Sequence, residues 1–151
     1  MRFIPESEAE ALRAHLDKRL EAPVTLDLFI EPESPIVVPG SAQCELCEET
    51  RALLEDVASL SDRITLNVHD VRTEEDLARQ MGVRNVPTLI LRGAAKGVVR
   101  YVGIPAGLEF GTLLEDLEAV ARGTVTLADD TREKLAALTN PVHIQVFVTP
   151  T

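Results

Sequence analysis

Two cysteines, Cys44 and Cys47, are separated by two residues. That spacing lets both sulfurs meet on one helical turn, so a disulfide can close with little backbone movement. Apolar residues at helical spacing, from Leu46 to Leu60, predict a helix over about 44–60 with the cysteines at its start. The partial positive charge of a helix N-terminus stabilises a thiolate. We therefore expect Cys44 to be the exposed nucleophile and Cys47 the more buried, resolving cysteine.

A structural metal site and a pair of unrelated buried cysteines are the alternatives to redox chemistry. A metal site would need two further ligands, and His15, His69 and His143 show no ligand spacing. We therefore expect no metal at the cysteines, and the helix-start context favours redox chemistry over both alternatives.

The segment Val83–Leu91 places a proline at the start of a predicted strand. Pro87 has no backbone N–H, so the strand lacks one hydrogen bond to its neighbour at this residue. If the Val86–Pro87 bond is cis, Val86 presents its N–H and C=O outward, ready to pair with an extended peptide. A trans proline at a sheet edge is the alternative.

Hydrophobic periodicity and turn residues predict the elements around these groups. Their order is helix, strand, helix, strand, helix, strand, strand, helix. The first two strands are expected to be parallel with a right-handed crossover, and the last two to form an antiparallel hairpin. The fold class is therefore α/β, with a mixed four-stranded sheet and helices on both faces. Strands are predicted at 24–30, 64–68, 86–91 and 98–102, and helices at 6–20, 44–60, 107–121 and 127–138, with a short helix opening at Thr73.

The bulk composition excludes several classes of function. A formal net charge of −10 repels phosphate backbones and anionic membranes, so we expect no nucleic-acid partner. No run of residues approaches the ~18 apolar residues that a membrane span needs. Residues 1–16 lack the apolar core of a signal peptide, so we expect a cytoplasmic protein.

From Val24 to about Arg122 the chain resembles the thioredoxin family, in a C-x-x-C pair, a V-P-T segment about 40 residues later and a V-G before the closing helix. The resemblance implies a thioredoxin-like three-layer α/β/α fold and a cis Pro87 facing the cysteines. It also implies a cofactor-free oxidoreductase that exchanges disulfides with protein or peptide substrates and receives electrons from a thioredoxin-reductase-like donor. Substrates would then contact Val86, Pro87, Glu45 and Leu46.

Two features depart from that family, and a third matches one of its features. Glu45, Glu48 and Glu49 place negative charge beside the thiolate, so we expect Cys44 to be only modestly acidified and the pair to be a weak oxidant. The stretch 31–43 is longer than the family's usual connection and is either a plain insertion or a lid over the site. Thioredoxins hold a buried acid near the first strand here, which makes Asp27 a candidate proton relay to Cys47.

The pattern of Val24–Pro32 occurs again at Val142–Pro150. This repeat resembles the glutaredoxin-like protein disulfide oxidoreductases, which carry two thioredoxin units. We therefore expect a first unit over 1–122, a linker helix over 123–140, and the first strand of a truncated second unit over 141–151. Whether the chain is a fragment or a short gene stays open. An apolar strand at 142–148 is also expected either to join the edge of the sheet or to cause self-association with another copy of the chain.

Two further functional hypotheses are compatible with these residues. The chain could be a non-catalytic thioredoxin-like interaction module with a vestigial C-x-x-C pair. It could also bind a metal or a cluster, as some relatives of the family do.

Overall fold

The computed structural model describes residues 3–33, 43–124 and 126–148. Helices and strands alternate through most of this range, as the sequence predicts. The helices are α1 (Glu6–Arg19), α2 (Cys47–Ala58), α3 (Glu75–Gln80), α4 (Leu108–Arg122) and α5 (Asp129–Ala136), and the strands are β1 (Val24–Ile30), β2 (Ile64–Asp70), β3 (Thr88–Arg92) and β4 (Val99–Val102).

The four strands form one mixed sheet in the order β2-β1-β3-β4. β1 runs parallel to β2 and antiparallel to β3, and β3 runs antiparallel to β4. In this register Leu28 of β1 lies between Val68 of β2 and Leu89 of β3. The predicted mixed four-stranded sheet, with its parallel crossover and its hairpin, is confirmed.

Successive side chains of β1 point to opposite faces of the sheet. On one face β1 contributes to the main core together with α1, α2 and α4, and Cys47 belongs to that core. On the other face Phe29 packs with Ala78 of α3 and with Ile90. The six-residue α3 is therefore the cover of the second face, and the sheet is the middle of three layers. The β1 residues of the main core are Val24, Leu26, Leu28 and Ile30.

α2 begins three residues later than predicted. Glu45 and Leu46 form a turn, and the helix starts at Cys47 with Leu46 as its N-cap. The Thr50 backbone N–H donates to Leu46 O at 2.9 Å, and the Thr50 hydroxyl donates to the same oxygen at 2.6 Å. Cys44 therefore precedes the helix.

The region after α4 contains α5 within the predicted linker helix. Residues 142–148, predicted to be a strand, lie outside all four strands, and every one of them is exposed. A strand requires a hydrogen-bonded neighbour, and no described segment lies beside this one. Its assignment to a second unit stays a prediction. Most of the predicted insertion or lid at 31–43 lies outside the described residues.

None of the helices in the described ranges combines the length and the apolar character needed to cross a membrane.

Candidate redox site

Cys44 and Cys47 are joined by a disulfide, with their Cα atoms 5.5 Å apart. Cys44 lies in the turn before α2 and is half-buried. Cys47 is the first residue of α2 and is only 1% exposed, because its side chain packs into the main core. An approaching substrate therefore reaches the Cys44 sulfur first.

The end of β1 contacts the buried sulfur. The Glu31 backbone N–H donates to Cys47 Sγ at 3.4 Å. A donor aimed at sulfur stabilises the thiolate more than the neutral thiol. Glu48 and Glu49, in the first turn of α2, oppose this effect because their negative charges disfavour a thiolate nearby.

The loop before β3 forms the wall opposite Cys44. The Val86–Pro87 peptide bond is cis. Pro87 is buried, and its carbonyl accepts a hydrogen bond from the Gly103 N–H at 2.9 Å. Thr88 Oγ1 donates to Asn85 O at 2.7 Å, which closes the loop on itself. Val86 and Cys44 both line one pocket, so the structure brings these two predicted site residues together.

The backbone of Val86 makes no hydrogen bond, through either its N–H or its C=O, within the part of the chain that the structure describes. Regular pairing of β3 begins only at Thr88. An extended peptide could therefore add to the chain at Val86 as a short extra strand.

A pocket of about 600 Å³ opens between Cys44 and this loop. Apolar residues from α3 and its flanking turns form part of its lining. Charged residues of both signs form another part, with Glu31 and Glu75 opposed by Arg79 and Arg84. The pocket is lined by Glu31, Gln43, Cys44, Val71, Glu75, Ala78, Arg79, Val83, Arg84, Asn85 and Val86.

Glu45 and Leu46 lie between the cysteines and are exposed, with 40% of Leu46 accessible. Both side chains therefore lie at the surface next to Cys44 in the chain. Pro87 differs from them, since it is buried beneath the loop.

Asp27 is placed away from the cysteines. Its side chain accepts hydrogen bonds from Asn67 Nδ2 at 2.9 Å and from Arg92 Nε at 2.6 Å, and His69 Nε2 lies 3.4 Å from it. These partners and Phe29 lie on the α3 face of the sheet, whereas Cys47 lies on the opposite face. The sheet therefore lies between the carboxylate and the sulfur, and the proton relay through Asp27 stays a prediction.

The pKa of Asp27 reflects this cluster. Burial alone would raise it, but the hydrogen bonds from Asn67, Arg92 and His69 outweigh burial and hold the pKa below its ordinary value. Asp27 is therefore ionised at neutral pH, and its lowered pKa makes it a weaker base toward a thiol such as Cys47.

Two contributors to the site were not predicted from the sequence. The Glu31 N–H reaches Cys47 only because the end of β1 abuts the start of α2, a long-range contact with no local signal. Arg84 lines the pocket and stands two residues before Val86, so its place next to the V-P-T segment could have identified it.

Comparison with known proteins agrees with this geometry. The family model described as "Thioredoxin domain" matches residues 35–115. A protein disulfide oxidoreductase from Aeropyrum pernix k1 is 29% identical with a TM-score of 0.80, and the alignment covers 97% of this chain and 60% of that one. The alkylhydroperoxide reductase protein AhpF from Enterococcus faecalis is 25% identical with a TM-score of 0.72, covering 91% of this chain and 62% of that one.

The chain thus spans about three fifths of the length of these two proteins. No curated protein matches it. The family match, the disulfide oxidoreductase fold and the Cys44–Cys47 pair together support thiol–disulfide exchange.

Proposed function

Because the chain belongs to the thioredoxin-domain family, we propose that it exchanges disulfides with protein or peptide substrates through Cys44 and Cys47. The observation that carries the proposal is the Cys44–Cys47 disulfide, with Cys44 in a pocket beside Val86, whose backbone pairs with no described residue. In this proposal the two cysteines are the catalytic residues of an enzyme, and the reaction needs no cofactor.

The reaction consists of two exchanges. In the reduced protein the Cys44 thiolate attacks one sulfur of the substrate disulfide. A bond forms between them, the substrate S–S bond breaks, and the second substrate sulfur leaves as a thiolate that takes up a proton. Cys47 then attacks Cys44 Sγ, which releases the first substrate sulfur and forms the Cys44–Cys47 disulfide. Two electrons pass to the substrate, and the reverse sequence oxidises a dithiol.

The surrounding residues hold the reactants in this sequence. The Val86 backbone pairs with the substrate chain, which brings the substrate disulfide to the side of the pocket formed by Cys44. The exposed Glu45 and Leu46 contact the substrate on the other side of the sulfur. The Glu31 N–H stabilises negative charge on Cys47 while that sulfur attacks.

The acidic side chains around the pair favour the reductive direction. Glu45, Glu48 and Glu49 are all exposed on the turn and first turn of α2. Their negative charge limits stabilisation of the Cys44 thiolate, and a less stabilised reduced form makes a weaker oxidant. We propose that a thioredoxin-reductase-like protein in the cytoplasm keeps the pair reduced.

An insulin reduction assay with dithiothreitol tests the activity. The wild type is expected to accelerate precipitation of the insulin B chain, and Cys44→Ser to fall to the rate of dithiothreitol alone. Cys47→Ser keeps the first exchange but cannot resolve it, so it should accumulate a mixed disulfide with substrate that a gel without reductant detects. Acceleration that persists in Cys44→Ser would overturn the proposal and leave an interaction module as the alternative.

A two-unit organisation is part of the proposal. Residues 1–122 would form one unit, residues 123–140 a linker, and residues 141–151 the first strand of a second unit. The recurrence of the β1 pattern at Val142–Pro150 supports this, as does the greater length of the oxidoreductase of similar fold. The genomic sequence after the codon for Thr151 checks it, since a second C-x-x-C is expected there and its absence would contradict the organisation.

A further inference from the structure

The pocket beside Cys44 contains two arginines whose surroundings differ. Arg79 is engaged within its own helix, since Arg79 Nη1 lies 3.3 Å from Asp76 Oδ1 and Arg79 Nη2 lies 3.8 Å from Glu75 Oε2. Its positive charge and the Glu75 carboxylate, which also lines the pocket, therefore largely cancel each other.

Arg84 has no such partner. Over 3–33, 43–124 and 126–148, no carboxylate pairs with its guanidinium and no side-chain hydrogen bond holds it. The side chain is exposed and lines the same pocket as Cys44. The chain as a whole carries a net charge of −10, whereas Arg84 adds a positive charge to the pocket that contains Cys44.

The position of Arg84 relative to Val86 decides what it can contact. The two residues are two positions apart in the loop, so a peptide that pairs with the Val86 backbone runs past Arg84. A carboxylate on that peptide can accept charge-assisted hydrogen bonds from the guanidinium fork. The apolar Val71, Ala78 and Val83 of the lining accommodate the methylene groups of such a side chain.

Resting on the proposed function, we propose that Arg84 makes the site select disulfide substrates with an acidic side chain about two residues from the attacked cysteine. The Glu31 carboxylate, on the β1 side of the pocket, disfavours an acidic group close to the sulfur itself. The preference therefore belongs to a position beside Arg84 and not to the cysteine's nearest neighbours.

Pairs of disulfide peptides that differ only by Glu or Gln test this selection. The substitution is placed two residues before the cysteine in one pair and two residues after it in the other. Values of kcat/KM are measured with dithiothreitol as the electron donor. The wild type is expected to favour the Glu peptide of one pair by about two- to fivefold at low ionic strength, the range of an exposed ion pair. At 0.5 M salt this preference should approach unity.

Arg84→Gln should abolish the preference, and Arg84→Lys should retain part of it because the charge remains. Arg79→Gln is the matched control, since it removes the same charge from the same pocket but takes it from an arginine already paired. Each of the two Gln substitutions removes one positive charge, so the long-range repulsion between the chain and an acidic peptide changes equally in both. A difference in preference between the two variants can therefore come only from a local contact.

The outcomes distinguish this inference from the proposed function. Equal rates on Glu and Gln peptides in both pairs, or a loss in Arg79→Gln as large as in Arg84→Gln, would overturn the selection while leaving disulfide exchange in place. Failure of the wild type to reduce any peptide would overturn both.

Discussion

Asp27 is a buried carboxylate whose partners all lie on the α3 face of the sheet. Asn67 and Arg92 donate to it, and His69, stacked on Phe29, lies within 3.4 Å. The cluster satisfies a charge that the core could not otherwise hold. Its role is therefore to hold the adjacent strands β2, β1 and β3 together.

We expect Asp27→Asn to lower the free energy of unfolding at pH 7 by about 1–3 kcal/mol, because an amide turns its N–H groups toward donors that need an acceptor. Insulin reduction should persist, since the carboxylate lies across the sheet from Cys47. Urea unfolding and the insulin assay measure the two effects. Asp17→Asn, at an exposed site, serves as the control. Loss of activity with unchanged stability would instead support the proton-relay hypothesis.

The lowered pKa of Asp27 also predicts a pH dependence. Since the folded-state value is below the value in the unfolded chain, the cluster's stabilisation is present above about pH 4 and is lost as the pH falls through the folded-state pKa. The wild type should lose stability below about pH 4 more steeply than Asp27→Asn, as followed by urea unfolding at pH 7, 4 and 3. Parallel curves for the two proteins would contradict the assignment.

The sequence singles out Cys44, Cys47, Val86 and Pro87 because their types and order in the chain carry the signal. It could not assign Asp27 to a face, since a shift of one residue along a strand moves every side chain to the other side. The position of Arg84 beside the V-P-T segment is visible in the sequence, but only the folded structure reveals that no described carboxylate pairs with it.

At the scale of elements, two glycines affect the stability of α4 in opposite ways. Gly123 ends the helix with φ of +69°, and a Cβ there would lie 2.9 Å from Ala94 O. Gly111 lies inside the helix, and a Cβ there would meet no atom within 4 Å. The first glycine is required by its conformation and contact, whereas the second weakens the helix without compensation.

We expect Gly123→Ala to destabilise the protein by at least about 1–2 kcal/mol, from the left-handed backbone and the contact with Ala94. Gly111→Ala should stabilise it by up to about 1 kcal/mol, because alanine favours a helix interior. Thermal and urea unfolding of the two variants provide the measurement, and each variant controls for the other's added methyl group. Destabilisation by both would show that α4 packs differently around residue 111.

Boundaries of elements were harder to predict than their order. The order follows from the hydrophobic period, which extends over many residues and tolerates local exceptions. The start of α2 at Cys47 depends instead on the turn at Glu45 and Leu46, and α1 begins at Glu6 directly after Pro5 with no side-chain cap. Such ends are decided by one or two hydrogen bonds.

At the scale of the whole molecule, residues 142–148 stand apart from the core. The apolar side chains of Val142, Ile144, Val146, Phe147 and Val148 are 63–84% exposed. The sequence predicts a strand here because the pattern matches β1, yet β1 is a strand only because β2 and β3 flank it. A local sequence pattern specifies a preference for strand conformation, and a hydrogen-bonded neighbouring strand is needed for the strand to form.

We predict that this segment causes self-association when its only available partners are other copies of the chain. Ile144 and Val146 would share one face of a strand, and burying each contributes about 1.5–3 kcal/mol. The double variant Ile144→Lys with Val146→Lys should therefore weaken association more than tenfold in sedimentation and light scattering, whereas Val98→Lys, at another exposed valine, should not. A wild-type monomer at every concentration, with the amides of 142–148 exchanging freely, would contradict self-association, because an apolar strand that pairs with nothing protects no amide.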